Sequence, residues 1–232
     1  MQPTLQAIVL ADGEVAPRVE IDEAWPGWCG PDPYVVAADG GARHAAALDL
    51  AIDRWVGDGD SLGEDALAEL VAAGVPIDRS PFDKDESDTE LAVRAALARR
   101  PDAITILGAL GGPRLDHALA NLALLELPEL RDLDVRIVAA GARVRLLVAP
   151  GPDGDPARLA LDGRTGDLVS LLPVGGDAIG VTTADLAYPL RDEVLLSGPS
   201  RGLSNRRTAP TAAVTLRSGR LLVIETPARL ST

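Results

Sequence analysis

Four short segments of the chain place aspartates beside glycines or at the head of a helical pattern. Asp39 stands in Ala38-Asp39-Gly40-Gly41, and Asp58 and Asp60 in Gly57-Asp58-Gly59-Asp60-Ser61. Asp85 and Asp88 fall in Lys84-Asp85-Glu86-Ser87-Asp88, and Asp116 in Gly111-Gly112-Pro113-Arg114-Leu115-Asp116-His117. Carboxylates are hard oxygen ligands, and Mg²⁺ takes one or two of them while sharing phosphate oxygens with a substrate. Glycine lets the backbone approach a phosphate, and a helix N-terminus favours an anion. The combination points to metal-assisted phosphoryl or nucleotidyl transfer. Lys84 is the only lysine in the chain and supplies a mobile point charge for a phosphate. Arg114 offers the fork for a bidentate phosphate contact.

Each segment also has a plainer reading. Asp-Gly-Asp is common in turns. Ser87-Asp88-Thr89-Glu90 and Ser61-Leu62-Gly63-Glu64 both fit the Ser-x-x-Glu capping box, and Gly111-Gly112-Pro113 can simply lead into a helix, with Pro113 near its first position. The plain readings weaken if the segments converge, so the elements that carry them decide the matter. The first two thirds of the chain alternate β-branched runs with Ala/Leu-rich patterns, which indicates βα units and a mainly parallel sheet. Strands are expected at Leu5–Ala11, Tyr34–Ala38, Ile52–Val56, Ile104–Leu107 and Val135–Ala139, and helices near Arg43–Leu50, Gly63–Ala73, Asp88–Arg100 and Leu115–Leu125. Gly74 is the expected stop of the second helix. Three of the four acidic segments then fall on strand-to-helix turns and the fourth enters a helix. Such turns gather at the carboxyl edge of an open parallel sheet, where ligands bind.

The texture changes after about Val148. Ala149 to Pro156 is a run of turn formers that reads as a linker. Short strand-like runs follow at Asp167–Leu172, Ala178–Thr182, Glu193–Leu196, Thr211–Leu216 and Leu221–Glu225. Ser218-Gly219 between the last two suggests a hairpin. The expected organisation is an α/β catalytic, nucleotide- and metal-binding domain over residues 1–150 and a smaller all-β, sandwich-like domain over residues 151–232.

Composition narrows the partners. With hydrophobic residues at 47 % and aromatics at 3 %, Leu, Val, Ile and Ala must fill the core. A net charge of −13 repels phosphate backbones, which argues against nucleic acid. Cys29 is the single cysteine, so no intrachain disulfide can form. The only apolar run near the N-terminus reads as a strand and is too short for a signal or anchor. A cytoplasmic protein without membrane attachment is expected. No Gly-x-x-x-x-Gly-Lys-Ser/Thr occurs. Gly198-Pro199-Ser200-Arg201-Gly202 matches a nucleophile elbow in letters only, because both histidines, His44 and His117, precede Ser200. Two histidines and one cysteine are too few for a structural zinc site.

In order and spacing, the four segments resemble the thiamine pyrophosphokinases, and Ala187-Tyr188-Pro189-Leu190 and Gly202-Leu203-Ser204-Asn205 extend the likeness into the β region. The resemblance implies an N-terminal α/β domain, a C-terminal β-sandwich, a homodimer, and pyrophosphoryl transfer from Mg²⁺-ATP to the hydroxyl of thiamine with release of AMP. By motif position it implies Mg²⁺ on Asp58, Asp60 and Asp88, and ATP bound through Asp39, Lys84, Asp85, Arg114 and His117, with Asp116 helping to position it. Ser204, Asn205 and Lys84 would lie near thiamine. Asp88 or Asp116 would accept the hydroxyl proton, with the choice open. Three positions depart from the family pattern. Pro113 is an extra residue before Arg114, Gly59 replaces a bulky residue between the paired aspartates, and Arg206-Arg207 follow Ser-Asn where an aromatic or apolar residue is usual. No aromatic residue follows Tyr188. Two rival readings are a metal-dependent nucleotide-sugar glycosyltransferase and a non-catalytic sensor of thiamine phosphates or nucleotides.

Overall fold

The computed structural model describes residues 5–151 and 153–228, and the chain divides into two compact units between Ala140 and Gly141. In the first unit the strands are β1 (Gln6–Leu10), β2 (Tyr34–Ala38), β3 (Arg54–Gly57), β4 (Ile77–Arg79), β5 (Ala103–Leu107) and β6 (Asp134–Ala139). They lie side by side in the order β6-β5-β1-β2-β3-β4, every neighbouring pair parallel. Ile8, Leu10, Val36, Ile104, Ile106 and Leu107 are fully buried, as strands covered on both faces must be. The order reverses between β1 and β5: from β1 the chain builds outward to β4, then returns to add β5 and β6 on the other side. Ligand crevices form at such a reversal.

The helices are α1 (Arg18–Ala24), α2 (Glu64–Ala72), α3 (Asp88–Leu97) and α4 (Leu115–Ala123). At α3 the serine half of the capping box holds, since Ser87 Oγ accepts the Glu90 N–H at 3.1 Å, while Glu90 Oε1 accepts from Arg94 at 2.9 Å. At α2 it does not. Gly63, at φ +88°, takes the cap position without a side-chain bond, because the Ser61 hydroxyl is turned away and donates to Asp60 Oδ1 at 3.0 Å. Gly74 does end α2, at φ +79°, its N–H on Val71 O at 2.9 Å. The helix expected over Arg43–Leu50 is replaced by two 3-10 turns, Asp39–His44 and Ala46–Leu48, closed by Asp49 at φ +51°. Trp25 and Trp28 are core residues, their indole N–H groups donating to Ala139 O at 2.7 Å and Asp22 Oδ1 at 2.6 Å.

The second unit contains β7 (Ala142–Ala149), β8 (Ala157–Asp162), β9 (Leu168–Pro173), β10 (Ala178–Ala184), β11 (Glu193–Leu195), β12 (Asn205–Arg206), β13 (Thr211–Leu216) and β14 (Gly219–Thr226), and no α-helix among the described residues. Two antiparallel layers, β12-β9-β14-β7 and β11-β10-β13-β8, enclose Leu161, Val169, Leu171, Val181, Val214 and Val223. β7 belongs here through its register with β14, from Ala149 opposite Gly219 to Arg143 opposite Glu225, so the unit begins ahead of the Pro/Gly-rich run at 149–156; Pro152 of that run lies outside the described residues. The expected hairpin across Ser218-Gly219 does not form. β13 pairs with β8 and β10, whereas β14 pairs with β7 and β9, so the turn carries the chain from one layer to the other. Gly219 makes that corner at φ +105°.

The inner register of this unit holds an ionic cluster. Glu225 is 0 % exposed and takes both oxygens to Arg143 at 2.8 Å, with Arg145 at 3.0 Å and Arg207 closer still. Burial alone would raise the Glu225 pKa, but Arg143, Arg145 and Arg207 more than reverse it and hold it below its ordinary value. Arg207, one of the two arginines that depart from the family pattern, is therefore a packed core residue.

Candidate active site

The loops at the carboxyl ends of β1, β2, β3 and β5, with the segment between β4 and α3, surround a cavity of about 620 Å³ within the first unit. Its floor depends on a close approach of backbones. The Gly13 N–H donates to Gly108 O at 2.8 Å. A Cβ on Gly13 would stand 2.3 Å from that oxygen, and one on Gly108 would stand 2.2 Å from Ala11 O. Only glycine at both positions lets the β1 and β5 turns interlock.

Two carboxylates, Asp39 just after β2 and Asp58 just after β3, line the cavity. Asp39 is buried, and its backbone adopts φ +40°, a conformation rare outside glycine and typical of functional sites. Its oxygens accept the N–H groups of Ser61 at 3.2 Å and Leu62 at 3.1 Å, and its carbonyl accepts the Trp55 indole N–H at 3.0 Å. Burial pushes the Asp39 pKa up to about 6; the two N–H donors pull against it, and Asp60 and Asp88 add to it. Asp60 is held low by its hydrogen bond with the Asp39 carboxyl. Asp39, Asp58 and Asp60 each offer an oxygen, all within 4.8 Å of one another. A converging set of hard oxygen donors with this much negative charge fits a divalent cation such as Mg²⁺. Gly59 reaches φ +91° between the paired aspartates, which explains the absence of a bulky residue there.

Lys84 closes the arrangement. Its ammonium lies 2.9 Å from Asp88 Oδ1 and 3.7 Å from Asp58 Oδ2, and donates to Ser80 Oγ at 2.9 Å. Burial lowers its pKa, and Asp88, Asp58 and Asp39 more than restore it, so it stays charged. Asp88, Lys84, Arg114 and His117 all line the cavity, while Asp60, Asp85 and Asp116 do not. Asp116 is 64 % exposed and forms a bidentate pair with Arg114 at 2.9 and 2.6 Å; that hydrogen bonding draws its pKa down to about 2. The lining also includes Asp12, Glu14, His44, Phe82 and Asn121, which the sequence reading passed over. One signal was present, because Ala11-Asp12-Gly13 repeats Ala38-Asp39-Gly40 after an adjacent strand. Burial lowers the pKa of His44, and its Nε2 is buried without a hydrogen-bond partner.

In the second unit Ser204 is exposed at φ +56°, its N–H on Ser170 Oγ at 3.0 Å. Asn205 is buried and clamps a backbone. Its Oδ1 accepts the Tyr188 N–H at 2.9 Å and its Nδ2 donates to Tyr188 O at 2.7 Å. The amide is thereby committed to presenting Tyr188, whose side chain is 70 % exposed.

Two family models match this chain. The thiamin pyrophosphokinase catalytic domain matches residues 29–139, and the thiamin pyrophosphokinase vitamin B1 binding domain matches residues 158–221. The chain belongs to the thiamine pyrophosphokinase family. A thiamine pyrophosphokinase of Bacillus subtilis (strain 168) is 26 % identical over 168 residues, covering 72 % of this chain and 75 % of the relative. The solved structure of a thiamine pyrophosphokinase from Bacillus subtilis superposes with a TM-score of 0.80 at 21 % identity, covering 96 % of this chain and 99 % of that one. The thiamin pyrophosphokinase of Candida albicans does so with a TM-score of 0.74 at 15 % identity, covering 97 % and 89 %. At those identities the two structures speak for the fold. The sequence expectation of an α/β thiamine pyrophosphokinase with a β-sandwich partner is borne out by the family and its fold, and neither rival reading is supported.

Proposed function

We propose that this member of the thiamine pyrophosphokinase family transfers the diphosphoryl group of Mg²⁺-ATP to the hydroxyl of thiamine, giving thiamine diphosphate and AMP. The observation that carries the reading is the meeting of Asp39, Asp58 and Asp60 within 4.8 Å, at a cavity lined by Asp39 and Asp58 together with Lys84, Asp88 and the interlocked glycine turns. The new bond joins the thiamine hydroxyl oxygen to the β-phosphorus of ATP, and the bond from that phosphorus to the α-phosphate oxygen breaks. Such a transfer needs positioning and charge neutralisation more than covalent help from the protein.

The divalent cation belongs on Asp58 and Asp60 in this proposal, with Asp39 completing the carboxylate set and Asp88 facing Asp58 across Lys84. When bound, it neutralises phosphate oxygens. Lys84 adds a fixed positive charge beside Asp58 and Asp88. The glycines of the β1 and β5 turns let backbone N–H groups reach phosphate, and Arg114, at the head of α4, adds a forked donor. Of the two carboxylates considered as proton acceptor, Asp88 is favoured, because it lines the cavity while Asp116 is exposed and engaged by Arg114. Ser204 is retained as a thiamine contact, and Asn205 acts by holding Tyr188. A homodimer and a cytoplasmic location complete the proposal; among the described residues no helix is long and apolar enough to cross a membrane. The test is AMP release from Mg²⁺-ATP with and without thiamine, followed by mass identification of the product. Thiamine-dependent AMP with thiamine diphosphate is the expected result, and AMP formed only with another acceptor would overturn the assignment of thiamine.

A further inference from the structure

Phe82 is the only phenylalanine in the chain and is 80 % exposed, yet it lines the cavity. Single exposed apolar side chains are ordinary on a protein surface, but this ring is part of a cavity lining and is therefore available to a ligand. Its surroundings are acidic. In Phe82-Asp83-Lys84-Asp85-Glu86 the one cation is engaged by Asp88, Asp58 and Ser80, which leaves the three carboxylates to set the local charge; Glu86 also lines the cavity. A neutral or anionic ring gains nothing from that field, whereas a flat cation gains from both the carboxylates and the aromatic face.

Strand order shows which end of the cavity Phe82 occupies. The glycine turns lie after β5 and β1, the carboxylate cluster after β2 and β3, and Phe82 after the edge strand β4. A donor whose phosphates run from the glycine turns to the carboxylates leaves the β4 side for the acceptor. We propose that Phe82 is a specificity-determining residue that stacks on the cationic ring of the acceptor, with Glu86 facing the same charge. This rests on the reading of thiamine as acceptor and adds to it the element that selects a charged ring over a neutral one.

Steady-state kinetics on the full-length protein test it, with wild type measured first. If wild type forms no thiamine diphosphate, the acceptor reading fails and this inference falls with it. If wild type is active, the inference stands or falls by itself. Phe82→Ala raises the KM for thiamine about tenfold, equivalent to ~1.4 kcal/mol, and leaves the KM for ATP within about twofold. Phe82→Leu keeps the apolar bulk without the ring face and matches Phe82→Ala, while Phe82→Tyr restores wild-type behaviour. Both impaired variants lose the preference for thiamine over an isostere whose five-membered ring is neutral. An unchanged thiamine KM, a leucine as good as phenylalanine, or a rise confined to the KM for ATP would each overturn the proposal. Circular dichroism of the variants guards the comparison, and at 80 % exposure the ring can be removed without opening a core cavity.

Discussion

Glu225→Gln tests how the second unit is held together. The carboxylate is 0 % exposed, and it is the common partner of three guanidiniums whose side chains are 11, 12 and 1 % exposed for Arg143, Arg145 and Arg207. Glutamine preserves the shape but removes the one negative charge and turns an acceptor into an N–H donor against guanidinium N–H groups. Removing one partner of a buried pair costs about 3–5 kcal/mol, a large part of the ~5–15 kcal/mol that holds a typical protein folded. The other backbone acceptors of these arginines, Asp162 O, Ala160 O and Leu161 O, keep the loss near the lower end, at ~3 kcal/mol. That corresponds to a fall in Tm of about 6–12 °C for a chain of this size. The sign of the pH dependence follows from the depressed pKa of Glu225, relative to an ordinary value of 4.5. Its stabilisation is fully present above the unfolded pKa and is lost as pH falls through the folded one. The deficit of the variant is therefore constant at neutral pH and narrows under acid. Urea unfolding followed by circular dichroism measures both quantities, and a cycle with Arg207→Met isolates the coupling. A loss below ~1 kcal/mol at pH 7, or strict additivity of the two substitutions, would mean that the buried cluster does not hold the unit together.

Four further outcomes bear on the site. Asp58→Asn and Asp60→Asn lower turnover by about two orders of magnitude or more while the melting temperature stays near wild type, and Mn²⁺ binding followed by electron paramagnetic resonance weakens in both; full activity in the pair would remove the metal assignment. Asp116→Asn removes the bidentate pair that orients the Arg114 guanidinium, so the KM for ATP rises with less than about a tenfold change in kcat. Asn205→Ala leaves the Tyr188 N–H and C=O without partners, costs about 1–3 kcal/mol by chemical denaturation, and raises the KM for thiamine. The raised pKa of Asp39, about 6 against an ordinary value of 3.8, is a penalty on the folded state that is absent at low pH, builds as pH rises above 3.8 and is complete once pH passes 6. Metal-free protein therefore loses stability from this group between about pH 4 and pH 6, and saturating Mg²⁺ flattens the profile.

The parallel sheet was legible because its strands are short, β-branched and buried on both faces: Tyr34–Ala38 was placed at its observed bounds, and β1, β5 and β6 to within a residue. β4 escaped because a three-residue edge strand with two exposed positions carries no periodicity. α1 escaped because Pro17 precedes it without a side-chain cap. The alanines of Arg43–Leu50 suggest a helix, but they do not outweigh the left-handed Asp39 and Asp49 at either side. At the site, aspartates beside glycines were visible as letters, but which of them meet is a matter of topology. Asp39 joins Asp58 and Asp60 because β2 and β3 are neighbours, while Asp88 is set off behind Lys84. Arg207 was misleading for the same reason, since nothing local announces that a carboxylate eighteen positions on, Glu225, takes it into the interior.

The Gly13–Gly108 interlock also bears on synthesis. β1 leaves the ribosome before both strands that flank it, and one of its two hydrogen-bonding edges is completed only by β5, Ala103–Leu107. Until that segment emerges, Gln6–Leu10 has β2 on one side and an open, apolar edge on the other, the kind of surface that recruits a stray strand. The nascent chain must carry this edge through most of the synthesis of its first unit, so slowing translation just before β5 would lengthen its exposure. The cavity floor and the protection of that edge arrive in the same event.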